Sequence, residues 1–356
     1  MREKLIAFAI VGALSFGGCV EKDIKPKPSD PISISTPVVG PKPPEVIPTP
    51  DSREIWQRLP AFDRIKKLEA VDYLNIPSFD PVNELTLAVA QFYCEETKCK
   101  KSPDEIKNSV FFLPENVFVQ ELERELGRNL TSSEKQKEER ERVEIVTRND
   151  RILVNRKAFT LFVETAISNQ PRPVDDRQKK EIEAIVMKSV LLHAFSHVNG
   201  TKRAYDFSPF SLIVNRVRVP EIGRLDGFKF IGRQESGQSF YIKGADEAIT
   251  DLVAMIIGAR TGVYISPQQY SEGAGVVDQI NRRAGILPGE FVRYANGELS
   301  QERFLQKWGA LKNSSNPDRK AAIMALASIG LYVDGISRYE DMLSGVHAWL
   351  GVQLSR

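Results

Sequence analysis

The spacing of hydrophobic residues predicts a mainly helical lobe over residues 51–143 of this chain of 356 residues. Apolar residues recur there every three or four positions, as they do along one face of an α-helix. The predicted helices cover residues 55–59, 65–74 and 82–93. A further helix is expected to begin at Pro114 and to end at Gly127, because its apolar residues recur at every fourth position between them.

A run of mixed charge over residues 136–144 follows this helix. Thr131 and Glu134 precede the run with the spacing of a capping box, which marks the start of a helix. Alternating charges of both signs are typical of a helix face in solvent. The run is therefore interpreted as surface.

From residue 144 onward, short strands are predicted among longer helices. Two apolar runs, 144–147 and 151–155, flank Asn149-Asp150 and predict a β-hairpin. The other predicted elements are helices at 156–168, 181–198 and 245–259, strands at 212–219, 228–231 and 240–243, and four or five helices up to residue 354. Asn199-Gly200 is expected to cap the helix 181–198. The fold class predicted is α+β: a mainly helical domain with a small β-sheet over 144–356, preceded by the helical lobe.

Residues 1–18 have the pattern of a targeting segment. Arg2 and Lys4 precede an apolar run, 5–16, that is too short to span a bilayer as a mature helix. Gly17-Gly18 then leads to Cys19, and this order resembles a bacterial lipoprotein signal peptide in which Cys19 becomes the acylated first residue. Phe16 departs from the Leu, Val or Ile that such signals usually carry there, and an ordinary secretory signal is the alternative. Either signal predicts a mature protein outside the cytosol.

Residues 19–50 are rich in proline and are expected to form a tether. Proline interrupts helices and strands, so such a segment remains an extended spacer. With lipid on Cys19, the tether would hold the folded part at the bacterial cell membrane. The expected location is extracytoplasmic, and the expected partner is the membrane.

Charge and cysteine content limit the expected partners and the expected state of the cysteines. The chain carries 49 basic and 47 acidic residues, and no segment interleaves aromatic residues with Lys and Arg, so nucleic acid is not expected as a partner. Of the three cysteines, Cys94 and Cys99 remain once Cys19 is set aside. They form either a disulfide, which an oxidising compartment would preserve, or two free thiols.

The histidines are the residues of this sequence with the clearest candidate function. Only three are present, and two of them, His193 and His197, lie four positions apart on the apolar stripe of a predicted helix. That spacing places both imidazoles on one helix face, close enough to share a metal ion. Glu247 and Asp251 have the same spacing on a later predicted helix. The alternative interpretation is that both histidines are core residues with ordinary hydrogen-bond partners.

Two segments resemble the thermolysin-like zincins (gluzincins), whose pattern is HExxH followed by ExxxD on a later helix. They are Val-Leu-Leu-His-Ala-Phe-Ser-His at 190–197 and Gly-Ala-Asp-Glu-Ala-Ile-Thr-Asp-Leu-Val-Ala at 244–254. Residues 225–228, Leu-Asp-Gly-Phe, are also similar to bacterial members. The resemblance covers about a fifth of the chain and excludes the lobe. It implies that His193, His197 and Glu247 ligate zinc and that Asp251 orients a histidine.

Ala194 departs from the family, which has a general-base Glu at this position. A positioned base contributes about 10²–10⁴-fold in rate, so its loss predicts weak or absent peptidase activity. Glu235, Asp246 or another acidic residue could substitute for it from a loop, and nothing in the sequence favours one of them. Residues that could stabilise an oxyanion, each with a purely structural role as the alternative, are His347, Tyr241 and Tyr264.

The function expected from these observations is a cell-envelope lipoprotein with a zincin-like domain that binds zinc and has weak or no peptidase activity. An inactive form would bind a peptide or protein in the inherited cleft. The alternative is a metal-free binding or scaffolding lipoprotein. A solute receptor is disfavoured, because repeated βα units are not evident.

Overall fold

A computed structural model describes residues 84–147, 149–170, 172–214, 217–233, 239–259, 264–266 and 268–354 of the chain. The expected signal peptide, Cys19, the tether and the helices predicted at 55–59 and 65–74 lie outside these residues. The fold is of the α+β class, as predicted: helices predominate and pack with two separate sheets. No helix among the described residues combines the length and the apolar character that crossing a bilayer requires.

Twelve helices and seven strands make up the described part of the chain. The helices are α1 Glu84–Glu96, α2 Pro103–Lys107, α3 Glu115–Leu126, α4 Ser132–Glu141, α5 Arg156–Ser168, α6 Asp176–Asn199, α7 Gly244–Gly258, α8 Gln268–Arg283, α9 Pro288–Ala295, α10 Gln301–Gly309, α11 Arg319–Val333 and α12 Tyr339–Leu350. The strands are β1 Val110–Leu113, β2 Glu144–Val146, β3 Ile152–Asn155, β4 Ala204–Val214, β5 Val217–Asp226, β6 Lys229–Arg233 and β7 Ser239–Ile242.

The smaller sheet has the order β1-β3-β2. Strands β2 and β3 pair antiparallel as the predicted hairpin, and Asp150 at its turn has a positive φ of 58°. Strand β1 pairs parallel with β3 and was not predicted, because it lies within the lobe expected to be helical. A run of four apolar residues cannot be assigned to a strand or a helix by periodicity alone.

The larger sheet has the order β4-β5-β6-β7, and all its neighbouring strands are antiparallel. The single strand predicted at 212–219 is wrong. Strand β4 ends at Val214 and β5 begins at Val217, and these two residues pair with each other. The predicted segment therefore spans the connection of a hairpin. The strands predicted at 228–231 and 240–243 correspond to β6 and β7.

Several predicted helix ends agree with the structure. Gly127 has φ 66° and ends α3, the Thr131–Glu134 capping box starts α4, and α4 buries none of its residues. Helix α6 begins at Asp176, earlier than predicted, because Asp175 and Gln178 form a capping box. Gly200 is the C-cap of α6, as predicted, with φ −54° and with its backbone N–H donating to the carbonyl oxygen of His197.

One hydrophobic core includes residues on both sides of the boundary predicted at residue 143. Val89 and Phe92 of α1 belong to the same cluster as Phe195 of α6 and Leu252 of α7. Helix α6 packs against α1, α5, α7 and β2, so it lies between the amino-terminal elements and the rest of the fold. Cys94 and Cys99 form a disulfide that closes the turn after α1.

Candidate metal centre

Three side chains from α6 and α7 converge on one point. Nε2 of His193 lies 3.1 Å from Nε2 of His197, and Oε2 of Glu247 lies 3.2 Å and 3.0 Å from these two nitrogens. The side chains of His193, His197 and Glu247 are 10%, 14% and 21% exposed, respectively. These are the three residues that the sequence singled out, and together they could hold a metal ion.

Helix packing explains why these residues meet. Every residue of α6 from Val186 to Ser196 is buried, so the two histidines, one turn apart, face a neighbouring helix. That neighbour is α7, which is also mostly buried. Gly244 begins α7, and a Cβ atom there would collide with the backbone carbonyl of Gly330. Only glycine allows α7 to approach α11 this closely, and the approach fixes the turn that bears Glu247.

The spacing of the donors is close to that of ligands around one metal ion. Ligands at 2.0–2.2 Å from a tetrahedral ion lie about 3.3–3.6 Å apart. The observed separations of 3.0–3.2 Å approach these values. A point about 2.0–2.2 Å from all three donors already exists, and a small outward rotation of the side chains would widen their separations to the tetrahedral values. Two imidazole nitrogens and one carboxylate oxygen also form a ligand set that divalent transition metals accept.

Asp251 lies behind His193, as the sequence predicted. Its Oδ1 is 3.4 Å from Nδ1 of His193, and its side chain has no exposed surface. Tyr264 donates its hydroxyl hydrogen to Oδ1 of Asp251 at 2.7 Å, and Ser266 donates to Oδ2 at 3.0 Å. These bonds fix the carboxylate, and the carboxylate in turn selects the tautomer in which Nε2 of His193 is free to bind a metal.

Asp246 occupies the corresponding place behind His197. Its Oδ2 lies 3.3 Å from Nδ1 of His197 and 3.5 Å from Nζ of Lys229. Thr250 Oγ1 also lies 3.3 Å from the same ring nitrogen. Asp246 was considered as a substitute general base, but its carboxylate faces the nitrogen that points away from the shared donor point. Its place is that of an orienting group.

Glu144 is a further carboxylate at the site, and the sequence interpretation missed it. It begins β2, and its Oε1 lies 3.9 Å from Nε2 of His193 with the side chain 14% exposed. Burial raises the pKa of Glu144 to about 7, although the two histidines act in the opposite direction. The interpretation of the run 136–144 as surface is therefore wrong at its last residue. The helix ends at Glu141, and the strand that follows turns Glu144 inward.

The three converging side chains hold charges of opposite sign. Burial alone would lower the pKa of His197, but the Glu247 and Asp246 carboxylates outweigh it and raise the pKa to about 9. Burial likewise opposes protonation of His193, yet Asp251 and Glu247 raise its pKa well above the usual value. Burial would raise the pKa of Glu247, but the two histidines hold it well below its usual range. The site therefore stabilises positive charge at the shared point.

The other residues considered from the sequence lie elsewhere or have other partners. Tyr264 donates to Asp251, Tyr241 is 57% exposed, and His347 is exposed on α12. Glu235 lies outside the described residues. The aromatic residue beside the donors is Tyr270, whose ring stacks on the His193 ring with centroids 5.7 Å apart and planes inclined by 19°. No sequence signal singled it out.

Ala194 is fully buried between the two histidines. Position 194 of α6 therefore supplies no polar group that could act as a general base. Any base would have to come from another element of the fold.

Comparison with known proteins gives no family for this chain: no family, curated protein or solved structure matches it. Its function is therefore argued from the chemistry of the site.

Proposed function

We propose that this protein binds one zinc ion through His193, His197 and Glu247, in a zincin-like domain with weak peptidase activity. The observation that carries the proposal is the convergence of the three donor atoms within 3.2 Å of one another. Two histidines and one glutamate that leave a coordination position open are an established ligand set of catalytic zinc. Magnesium and calcium prefer sites made of oxygen ligands.

The carboxylates behind the ligands support a resident ion over a chance cluster. Each histidine has its own partner at Nδ1, Asp251 for His193 and Asp246 for His197. Such pairs orient ligating histidines and raise their basicity. A core histidine requires one hydrogen-bond partner, whereas here both histidines direct their second nitrogen to the same carboxylate oxygen.

Three protein ligands leave one position of a tetrahedral ion for water or substrate. Bound zinc supplies a Lewis acid there, which polarises a carbonyl group and lowers the pKa of water to about 7. Because Ala194 lacks a carboxylate, α6 provides no proton acceptor beside this position. The groups of α6 alone would support only weak hydrolysis, and faster hydrolysis requires a carboxylate from another element of the fold.

The position of β2 supports a peptide as the substrate. Within the described residues, β2 pairs only with β3, which makes it an edge strand of its sheet. An extended peptide can add to such an edge through backbone hydrogen bonds. Glu144 lies on this strand beside the metal donors, so a peptide paired there would cross the site.

The proposal places the folded part outside the cytosol, anchored through lipid on Cys19. The Cys94–Cys99 disulfide supports an oxidising compartment. The proline-rich tether, 19–50, would give the folded part reach from the membrane surface.

Zinc stoichiometry of the purified protein tests the proposal. One zinc per chain is expected in the wild type, and a loss of zinc is expected in His197→Ala. His347→Ala is the matched control, since His347 is an exposed histidine on α12. Equal zinc content in all three proteins would reject the site and leave a metal-free envelope binding protein as the function.

A further inference from the structure

We infer that Glu144 is the general base of the site, taking the proton that the residue at position 194 cannot take. The inference rests on the proposed function, since it requires zinc at the three donors. It assigns the role to a residue on a different element from the two histidines, at the start of β2 and not on α6.

The Glu144 carboxylate has unused hydrogen-bonding capacity. Its Oε2 is buried and has no hydrogen-bond partner. Leaving a buried acceptor unpaired is unfavourable, and more so for a charged group. A water molecule or a substrate N–H at the open position would remove this cost. The unpaired oxygen therefore indicates that a bound water molecule or substrate completes the hydrogen bonding of the site.

Glu144 differs from the other carboxylates at the site in the histidine atom that it faces. Asp251 and Asp246 face the Nδ1 atoms of the two histidines, on the outer side of each ring. Glu247 is itself a donor to the shared point. Glu144 faces Nε2 of His193, the atom that points toward the shared point. It is thus on the reacting side without being one of the three donors.

The distance between Glu144 and His193 also distinguishes Glu144 from the three donors. Oε1 of Glu144 lies 3.9 Å from Nε2 of His193, whereas the three donors lie 3.0–3.2 Å from one another. Glu144 therefore lies farther out than the three donors, where it can accept a hydrogen bond from a water molecule in the fourth position.

The backbone holds Glu144 in this place. It pairs with Val154 of β3, and the next residue, Ile145, is buried on the opposite face of the strand. Since a strand alternates its faces, Ile145 in the core directs Glu144 to the site. Helix α6 packs directly against β2, so the strand and the histidines keep a fixed relationship.

In this reaction Glu144 transfers one proton from the attacking water to the departing nitrogen. The Glu144 carboxylate accepts one proton from the attacking water, and the water oxygen forms a bond to the peptide carbonyl carbon while the C=O π pair moves to oxygen. The C–N bond then breaks as that pair returns, and Glu144 gives the same proton to the departing nitrogen. The products are a carboxylic acid and an amine, and Glu144 is again a carboxylate.

The test compares Glu144→Gln with the wild type and with Glu141→Gln, all loaded with zinc. Glu141 is a fair control because it is 64% exposed, on the helix that precedes β2. For Glu144→Gln, we expect hydrolysis of a peptide library to fall about 10²–10⁴-fold, with zinc content and zinc affinity unchanged. Glu141→Gln should match the wild type in all three measurements. In Glu144→Ala, added formate should restore part of the activity by supplying a carboxylate in the vacated space.

Each contrary result has a distinct meaning. If Glu144→Gln loses zinc affinity together with activity, Glu144 is a ligand and the inference fails. Unchanged hydrolysis in Glu144→Gln would also overturn it, as would a zinc-loaded wild type that cleaves no peptide above the zinc-free sample. In that last case the zinc stoichiometry would still support the metal site. A wild type without zinc would instead reject the proposed function itself.

Discussion

Oδ1 of Asp251 lies 3.4 Å from Nδ1 of His193, and Asp251 reaches this position with no exposed surface. We expect Asp251→Asn to lower zinc affinity about 10–100-fold, because the amide no longer selects the tautomer with Nε2 free or raises its basicity. Zinc competition with a fluorescent chelator measures the effect. Asp278→Asn is the control, since the Asp278 carboxylate pairs with Arg282 on α8. Equal affinities in the two variants would show that Asp251 has no influence on the site.

Zinc affinity should rise with pH. The pKa of His197 without metal is about 9, so at neutral pH a proton occupies the site and zinc must displace it. Each displaced proton makes the affinity rise about tenfold per pH unit below that pKa. The expected affinity therefore increases from pH 6 to 9 and then levels off. Calorimetry in two buffers of different ionisation enthalpy would count the released protons, and a count of zero would contradict the protonated site.

The same proton stabilises the metal-free fold. The pKa of His197 is raised from 6.5 in the unfolded chain to about 9 in the folded one, so the folded state binds the proton more tightly. Its contribution is complete below pH 6.5 and is lost as the pH rises to about 9. The melting temperature of chelator-treated protein should therefore decrease over this range. His197→Ala should show a smaller decrease, because only His193 then keeps a raised pKa, and the two curves should differ most at the lower end of the range.

Local sequence patterns predicted the parts of the fold that depend on neighbours along the chain. Helix α5 matches the predicted bounds 156–168, because an apolar stripe and a capping residue, Asn155, define it within one segment. The strand predicted at 212–219 failed for the opposite reason. The chain between Val214 and Val217 contains neither glycine nor proline, the residues that most clearly interrupt a strand pattern, so the two strands were predicted as one.

The same distinction holds for the site. His193 and His197 share one helix and Glu247 and Asp251 share another, so their spacing alone placed each pair on one face. Glu144 and Tyr270 join the site only because β2 and α8 pack beside α6 and α7. Nothing in their local sequence distinguishes them from surface residues. The ligands of such a site are therefore easier to find from sequence than the groups that act on its substrate.

The disulfide after α1 should contribute modestly to stability. Cys94 and Cys99 are separated by five positions, and closing so short a loop is worth about 2 kcal/mol in the unfolded chain. We expect Cys94→Ser/Cys99→Ser to lower the free energy of unfolding in urea by about that amount. Zinc content should not change, because neither cysteine is a metal donor. A loss of zinc would instead show that the turn supports α6, whose Asn199 side chain accepts a hydrogen bond from the Lys100 backbone.

Placing a glutamate at position 194 should be costly in this fold. Ala194 is fully buried and belongs to the main hydrophobic core, so a longer side chain there has no free space. Overpacking costs about 1–3 kcal/mol, and an unpaired carboxylate in the core adds to it. We therefore expect Ala194→Glu to lower the free energy of unfolding without raising peptide hydrolysis.

Ala194→Ser is the matched control for this substitution, because it adds a polar group of small volume. Urea denaturation and hydrolysis of a peptide library should be measured on both variants and on the wild type. A stable Ala194→Glu protein with greatly increased hydrolysis would show that the position opens toward the substrate. The general base would then belong on α6, and Glu144 would lose the role inferred for it. A destabilised Ala194→Glu protein beside a nearly unaffected Ala194→Ser would mean that the core excludes a carboxylate at position 194, so that only a neighbouring element such as β2 can supply it.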